Sequence, residues 1–152
     1  MKRRDVKSRC PINFTMEIFG DPWSMLILRG MTNYGAKHYG DFLKSEERIG
    51  TSVLANRLQH LEEKGIIEKR PDQIDKRKTT YHLTAVGLTV LPLLFEVAAW
   101  GTRTSPNPKA AESWFRALEL DRTIVLDAWR KALESGSAFY VGSNSVVAQL
   151  NL

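Results

Sequence analysis

The chain has 152 residues, 43% of them hydrophobic and 26% charged, with a net charge of +5. This is the balance of a globular protein with room for one domain and an extension. The single cysteine, Cys10, excludes an internal disulfide and a multi-cysteine zinc site.

No apolar run is expected to reach the roughly 20 residues of a membrane span. The basic start, MKRRDVKSRC, lacks the apolar segment of a secretory signal. The expectation is a cytoplasmic protein with no membrane partner, metal or cofactor. The sequence pI near 9.5 points to an anionic partner, usually nucleic acid. A basic surface with no such partner fits the charge alone equally well. The excess is local. Residues 1–10 carry five basic groups against one acid, and residues 76–78 are Lys-Arg-Lys.

In chain order, Cys10-Pro11 opens a helical segment that Gly20 ends near Phe19. Asp21-Pro22 restarts a helix, with aspartate as the cap and proline in the first helical position. Trp23, Leu26, Ile27 and Met31 follow at helical spacing. NYGAKHYG is a turn, and YGDFLKSEE a short helix with Phe42 and Leu43 inward. A longer helix starts at Gly50 or Thr51 and stops at Lys64-Gly65. IIEKR, the polar loop PDQIDKRK and TTYHL form a hairpin. Thr84 caps a helix through Trp100, in which Pro92 predicts a kink. TSPNP is a linker. Two helices follow, about Lys109–Leu118 and Asp121–Glu134. The tail GSAFYVGSNSVVAQLNL has no clear assignment. Helix, short helix, helix, hairpin is the order of a winged helix-turn-helix. The expected fold is mainly α with a small β-hairpin wing, an α+β class.

The helix at about 51–64 has an unusual outer face. At about 100° per residue, Leu54, Leu58 and Leu61 fall within roughly 40° of one another and form a core stripe. Opposite lie Ser52, Asn56, Gln59 and Glu63, flanked by Thr51 and Ala55. Small neutral groups suit a major groove, where Asn or Gln pairs with adenine and Ala meets a thymine methyl. An ordinary solvated helix has the same composition, so the wing adds weight, with Lys76, Arg77 and Lys78 at its tip for phosphate. The expected base contacts are Thr51, Ser52, Ala55, Asn56 and Gln59, with a preference for A·T pairs. The expected backbone contacts are Lys44, Arg48, Arg57, Lys76, Arg77, Lys78 and Thr79. Arg57, at the edge of the face, has a guanine as its other target.

CPI at 10–12, GDPWSMLILRGM at 20–31, YGDFL at 39–43, IGTSVLANRLQHLEEKGIIEKR at 49–70, YHLT at 81–84 and GLTVLPLLFEVAAWG at 87–101 occur in this order. Together they resemble the HxlR family of bacterial winged-helix transcriptional regulators, relatives of the MarR group. The resemblance spans residues 10–101. It implies a DNA-binding and dimerisation domain over 1–101, and leaves 102–152 as a helical extension without a role. It also implies a homodimer built from the N-terminal helix and the helix after the wing. The second of these is apolar all round and needs burial on more than one side. Pro11, Leu91, Leu94, Phe95, Ala98 and Trp100 are the expected interface. Burial against the extension is the alternative.

Several members of that family sense oxidants through the cysteine that Cys10 matches. As the N-cap of a helix, with Lys7 and Arg9 near, the sulfur sits where the reactive thiolate is favoured. An inert thiol near the dimer axis is the other reading. Without a second cysteine, a reversible sensor needs a disulfide across the dimer or a small thiol cap. A rival signal is a small-molecule inducer, with Trp114, Phe115, Trp129, Phe139 and Tyr140 as candidate pocket lining or as ordinary packing. No enzyme is expected. His38, His60 and His82 are the only bases for a cysteine nucleophile, and none sits in a catalytic signature. A winged-helix module that binds a protein or a small ligand, without direct redox sensing, is the alternative function.

Overall fold

The computed structural model describes residues 8–152. Lys7 and most of the basic start therefore lie outside the described residues. The element order is α1 (Pro11–Phe19), α2 (Ser24–Tyr34), α3 (Tyr39–Phe42), α4 (Thr51–Glu63), β1 (Ile67–Pro71), β2 (Thr79–Leu83), α5 (Ala85–Leu88), α6 (Leu91–Thr104), α7 (Glu112–Glu119), α8 (Arg122–Glu134) and α9 (Val146–Leu150). The strands pair antiparallel, from Ile67 opposite Leu83 to Pro71 opposite Thr79. Helix, short helix, helix and hairpin are the predicted winged helix-turn-helix.

Local chemistry sets the boundaries. Pro11 fills the first turn of α1, where its missing N–H is no loss. The α2 helix begins two residues later than the sequence predicts. Asp21 caps it from outside, its Oδ1 accepting from the N–H groups of Trp23 and Ser24 at 2.8 and 2.9 Å. The short helix is only one turn, Tyr39–Phe42, and Leu43 follows in a turn. Gly65, at φ 69°, reverses the chain from α4 into β1. Gly87 packs on the hairpin so closely that a Cβ would lie 2.1 Å from the Ile66 carbonyl oxygen.

The predicted kink at Pro92 is a break between two helices. Thr84 caps α5 by accepting from Gly87 N–H, the helix lapses at Thr89 and Val90, and Pro92 stands in the first turn of α6. There it displaces no hydrogen bond. Residues 85–104 are long and apolar enough to cross a membrane, contrary to the sequence expectation. Val90, Leu91, Leu94, Phe95 and Ala99 from this stretch are buried inside the protein.

One hydrophobic cluster runs through the whole chain. Leu28, Leu54, Leu58, Leu61, Ile67 and Leu91 share it with Trp114, Val125, Trp129, Phe139 and Val146 from the extension. Full burial of such a side chain stabilises by roughly 1.5–3 kcal/mol. An aromatic chain crosses the join, with centroids 5.5 Å apart for Phe95–Trp114, 5.8 Å for Trp114–Phe139 and 5.1 Å for Trp129–Phe139. Trp114, Trp129 and Phe139 are therefore packing residues rather than the lining of a pocket beneath the extension.

The extension also completes α2. Trp129 Nε1 and the Phe139 N–H both donate to the Thr32 carbonyl at 2.9 Å, and the Tyr140 N–H donates to Asn33 at 3.1 Å. The last carbonyls of a helix have no partner within it. Here the tail that resists assignment from sequence supplies one.

Candidate nucleic-acid interface

The inner stripe of α4 fixes the helix by its back. Leu54 and Leu61 have no exposed surface, and Leu58 has 1%. That leaves Thr51, Ser52, Ala55, Asn56 and Gln59 together on the outside. Thr51, Ser52, Ala55 and Asn56 are exposed. Tyr39 Oη donates to the Thr51 carbonyl at 2.6 Å and pins the start of the helix to α3. The turn before it holds Arg48 at φ 54°, a left-handed conformation unusual for this residue, with its side chain exposed. Lys44 lies 3.6 Å from Asp41, its side chain 80% exposed.

The two carboxamides of this face are already engaged. Asn56 Oδ1 accepts from Arg57 Nη2 at 2.6 Å, and Gln59 Nε2 donates to Glu63 Oε1 at 2.9 Å. Arg57 itself corrects a sequence expectation. Its side chain is only 18% exposed, and Nη1 lies 3.3 Å from Asp21 Oδ2. It braces α4 against the turn before α2 and does not stand out as a free phosphate contact. Burial opposes ionisation of Asp21. The Ser24 hydroxyl, the N–H groups of Trp23 and Ser24, and Arg57 outweigh it and hold the carboxyl below its usual range.

The wing is anchored at two places. Lys69 on β1 reaches Glu62 on α4 at 2.9 Å. His38, which caps α3, meets Asp72 at 2.7 Å, and its backbone bridges Thr80. Asp72 organises the loop beyond. Its Oδ1 accepts from the N–H groups of Ile74 and Asp75 at 2.8 and 2.9 Å. The Asp75 N–H, then His38, then the Ile74 N–H pull the Asp72 carboxyl down to about 2. Lys76, Arg77, Lys78 and Thr79 are all exposed, with Arg77 hydrogen-bonded to Asp75 at 3.0 Å. Ile74 is 98% exposed at this tip. The sequence does not single it out, because hydrophobic periodicity registers runs and not a lone apolar residue in a charged loop.

The expected interface residues divide. Leu91, Leu94 and Phe95 are buried in their own protomer, at 2%, 8% and 4% exposure. Phe95 is covered by Trp114 of the extension, and Arg122 stands 5.9 Å over its ring. These three are corrected to core residues. Pro11 and Ala98 are exposed, and Trp100 is 69% exposed. They share the outside of α1 and α6 with Val97, one of the apolar positions that encircle the second of these helices, and with Ile12, Phe14 and Met16, which sequence reasoning does not single out. Cys10 is an exposed free thiol in extended conformation at the N-cap of α1.

No group of three or more His, Cys, Asp or Glu able to hold a metal occurs among the described residues. A cleft of about 850 Å³ opens between α2, the residues after α3 and residues 109–111, with Trp23, Tyr34 and Phe42 on its walls. Arg29 and Glu47 face each other there as a two-bond ion pair at 2.7 and 2.8 Å. Arg29 holds the Glu47 carboxyl at about 2.

The HxlR-like helix-turn-helix family model matches residues 18–109. An uncharacterised HTH-type transcriptional regulator of Bacillus subtilis strain 168, YybR, is 28% identical over 95 residues, covering 62% of this chain and 75% of that protein. PA1607, a putative transcription factor of known structure, is 31% identical with a TM-score of 0.61, over 70% of this chain and 72% of that one. The redox regulator HypR in its oxidised form is 26% identical with a TM-score of 0.57, over 66% of this chain and 100% of that one. With the same helices and wing in the same order, the chain belongs to the HxlR-like helix-turn-helix family and has the winged-helix architecture of a transcriptional regulator.

Proposed function

We propose that the protein is a sequence-specific regulator that binds double-stranded DNA as a homodimer, with α4 in the major groove and the wing on the backbone. The observation that carries this reading is the outer face of α4, where Thr51, Ser52, Ala55, Asn56 and Gln59 are exposed, small or neutral, with Val53 39% exposed among them, beside an anchored wing with three basic residues. Groove readers carry such faces, because carboxylates at their centre would repel phosphate. The outer sides of α1 and α6 support a second copy as partner. Ile12, Phe14 and Met16 are 72%, 63% and 53% exposed, beside Trp100 at 69% on α6. A symmetric dimer places two α4 helices about one DNA turn, near 34 Å, apart.

Mobility shifts with duplexes from the protein's own upstream region, over a salt series, test this. The expected result is two protomers on a pseudo-palindromic site, with affinity falling steeply as salt rises. Equal affinity for every duplex overturns the sequence-specific part.

The same reading makes Cys10 a thiol sensor. It is exposed at the end of α1 beside the apolar dimer face, and the similar HypR is a redox regulator. Diamide takes two electrons and two protons from two Cys10 thiols, which join as a disulfide across the dimer. Non-reducing gels show the cross-link and mobility shifts show the change in affinity. Both effects disappear in Cys10→Ser; a serine variant that still responds removes the sensor. The cleft beside Trp23 and Phe42 favours a second reading, a small-molecule signal. Its volume of about 850 Å³ lies within the range of ligand sites. A diamide-insensitive protein whose melting point rises with a small aromatic ligand selects that reading.

A further inference from the structure

Resting on the reading of α4 as the groove helix, we propose that its two carboxamides address different bases. Gln59 is set for adenine. Asn56 is set for guanine, whose edge offers two acceptors.

The argument begins with which end of each amide is free. Arginine has donors and no acceptor. The Asn56 atom that meets Arg57 at 2.6 Å is therefore its carbonyl oxygen, and the amide cannot turn over without placing donor against donor. Arg57 is not a passing neighbour. Its side chain is 18% exposed and paired with Asp21 at 3.3 Å, and Asp21 is in turn fixed by Ser24 and two backbone N–H groups. The guanidinium is thus held by partners within the protein, and the Asn56 Nδ2 group is the end of the amide that does not meet it.

Adenine is read by a carboxamide that accepts from N6 and donates to N7. Arg57 takes one of the two lone pairs of the Asn56 oxygen, so adenine N6 would have to share that oxygen with a guanidinium, which disfavours the accepting half. The same cation polarises the amide and strengthens its N–H donors. Guanine presents N7 and O6, both acceptors, and is the edge a two-donor head fits.

Gln59 has the opposite arrangement. Its Nε2 gives one hydrogen to Glu63 at 2.9 Å. An ionised carboxylate only accepts, so this amide is also fixed in its turn. Its second hydrogen and its carbonyl oxygen stay open, and these are the two groups adenine requires. Three residues separate Asn56 from Gln59, a rise of about 4.5 Å along the helix. DNA rises about 3.4 Å per base, so the two edges fall within one or two base pairs of each other. The half-site then carries a guanine beside an adenine, rather than the uniform A·T preference that residue types alone predict.

The test is selection of bound duplexes from a randomised library by the full-length protein, repeated with Asn56→Ala, Gln59→Ala and Glu63→Ala. None of the three side chains is part of the buried core, and melting curves verify that each variant folds. Each alanine at 56 or 59 relaxes one position per half-site and so identifies its base. The expected result is a G·C pair at the Asn56 position and an A·T pair at the Gln59 position. Glu63→Ala lowers the preference for adenine at the Gln59 position by roughly threefold, the scale of one net hydrogen bond, and leaves the Asn56 position unchanged. An A·T pair at the Asn56 position, or a Glu63→Ala profile identical to the parent, overturns the proposal while α4 remains the reader. A motif indifferent to both alanines, or no motif at all, removes α4 as the reader and the proposal with it.

Discussion

The helices α4 and α6 are close in length, at 13 and 14 residues. Each drives a stripe into the shared core, Leu54, Leu58 and Leu61 from one and Leu91, Leu94 and Phe95 from the other. Their outer sides have little in common. On α4 the outside from Thr51 to Gln59 is mostly small and uncharged, with Glu63 exposed one turn on. On α6 it carries Val97 at 48% exposure and Trp100 at 69%. A helix whose only partner is water carries charged or polar groups there and not large apolar ones. The inner faces hold both helices in one fold. The outer faces differ because, on the proposed reading, one meets a grooved polar polymer and the other a second copy of the chain.

The inner faces give the largest expected effects. Leu58→Ala in α4 and Leu91→Ala in α6 each remove a side chain that is at most 2% exposed. Each is expected to lower unfolding free energy by about 2–5 kcal/mol, as measured by urea denaturation. If one costs much less than the other, the two helices are not equivalent parts of the core. Trp100→Ala breaks the outer comparison. It is expected to weaken dimerisation by about 2 kcal/mol, roughly 30-fold, in sedimentation equilibrium, with the fold intact. A variant that dimerises like the parent moves the interface off α6. Changing Lys76, Arg77 and Lys78 together to alanine lowers the slope of log affinity against log salt by about one unit for each phosphate no longer neutralised. An unchanged slope takes the wing out of DNA binding.

The smallest effect concerns the anchoring of the wing. Asp72 is held at about 2, against an ordinary value of 3.8. A carboxylate depressed on folding stabilises above its unfolded pKa, and that contribution is lost as pH falls through the folded value. The wing anchor is therefore intact above about pH 4 and is lost toward pH 2. Asp72→Asn is expected to flatten the stability profile in that window, read from urea midpoints. Glu47, also at about 2, keeps part of the slope. A profile identical to the parent shows that Asp72 does not couple the wing to the fold.

Most of the DNA-binding half is legible in the sequence, because its signals are local. A leucine repeat, a glycine stop and two β-capable runs around a charged loop each sit within a few residues of what they specify. What escapes is non-local. Nothing near Phe139 marks it as fully buried between Trp114 and Trp129, and the surrounding glycines and serines read as a loop. The family resemblance puts Leu91, Leu94 and Phe95 in an interface, and the apolar pattern agrees with it because it counts apolar residues without saying which copy covers them. Charge puts Arg57 on a phosphate because charge is visible in a sequence, whereas the fixing partner Asp21 lies 36 positions away.

The bond from Trp129 to the Thr32 carbonyl joins residues 97 positions apart. During synthesis the helix that bears Thr32 emerges long before the indole that satisfies it, and Phe139 follows later still. Pairings of such separation form slowly and late. A ribosome that stops before the extension therefore leaves the Thr32 and Asn33 carbonyls without the N–H groups of Trp129, Phe139 and Tyr140, and Phe95 without Trp114.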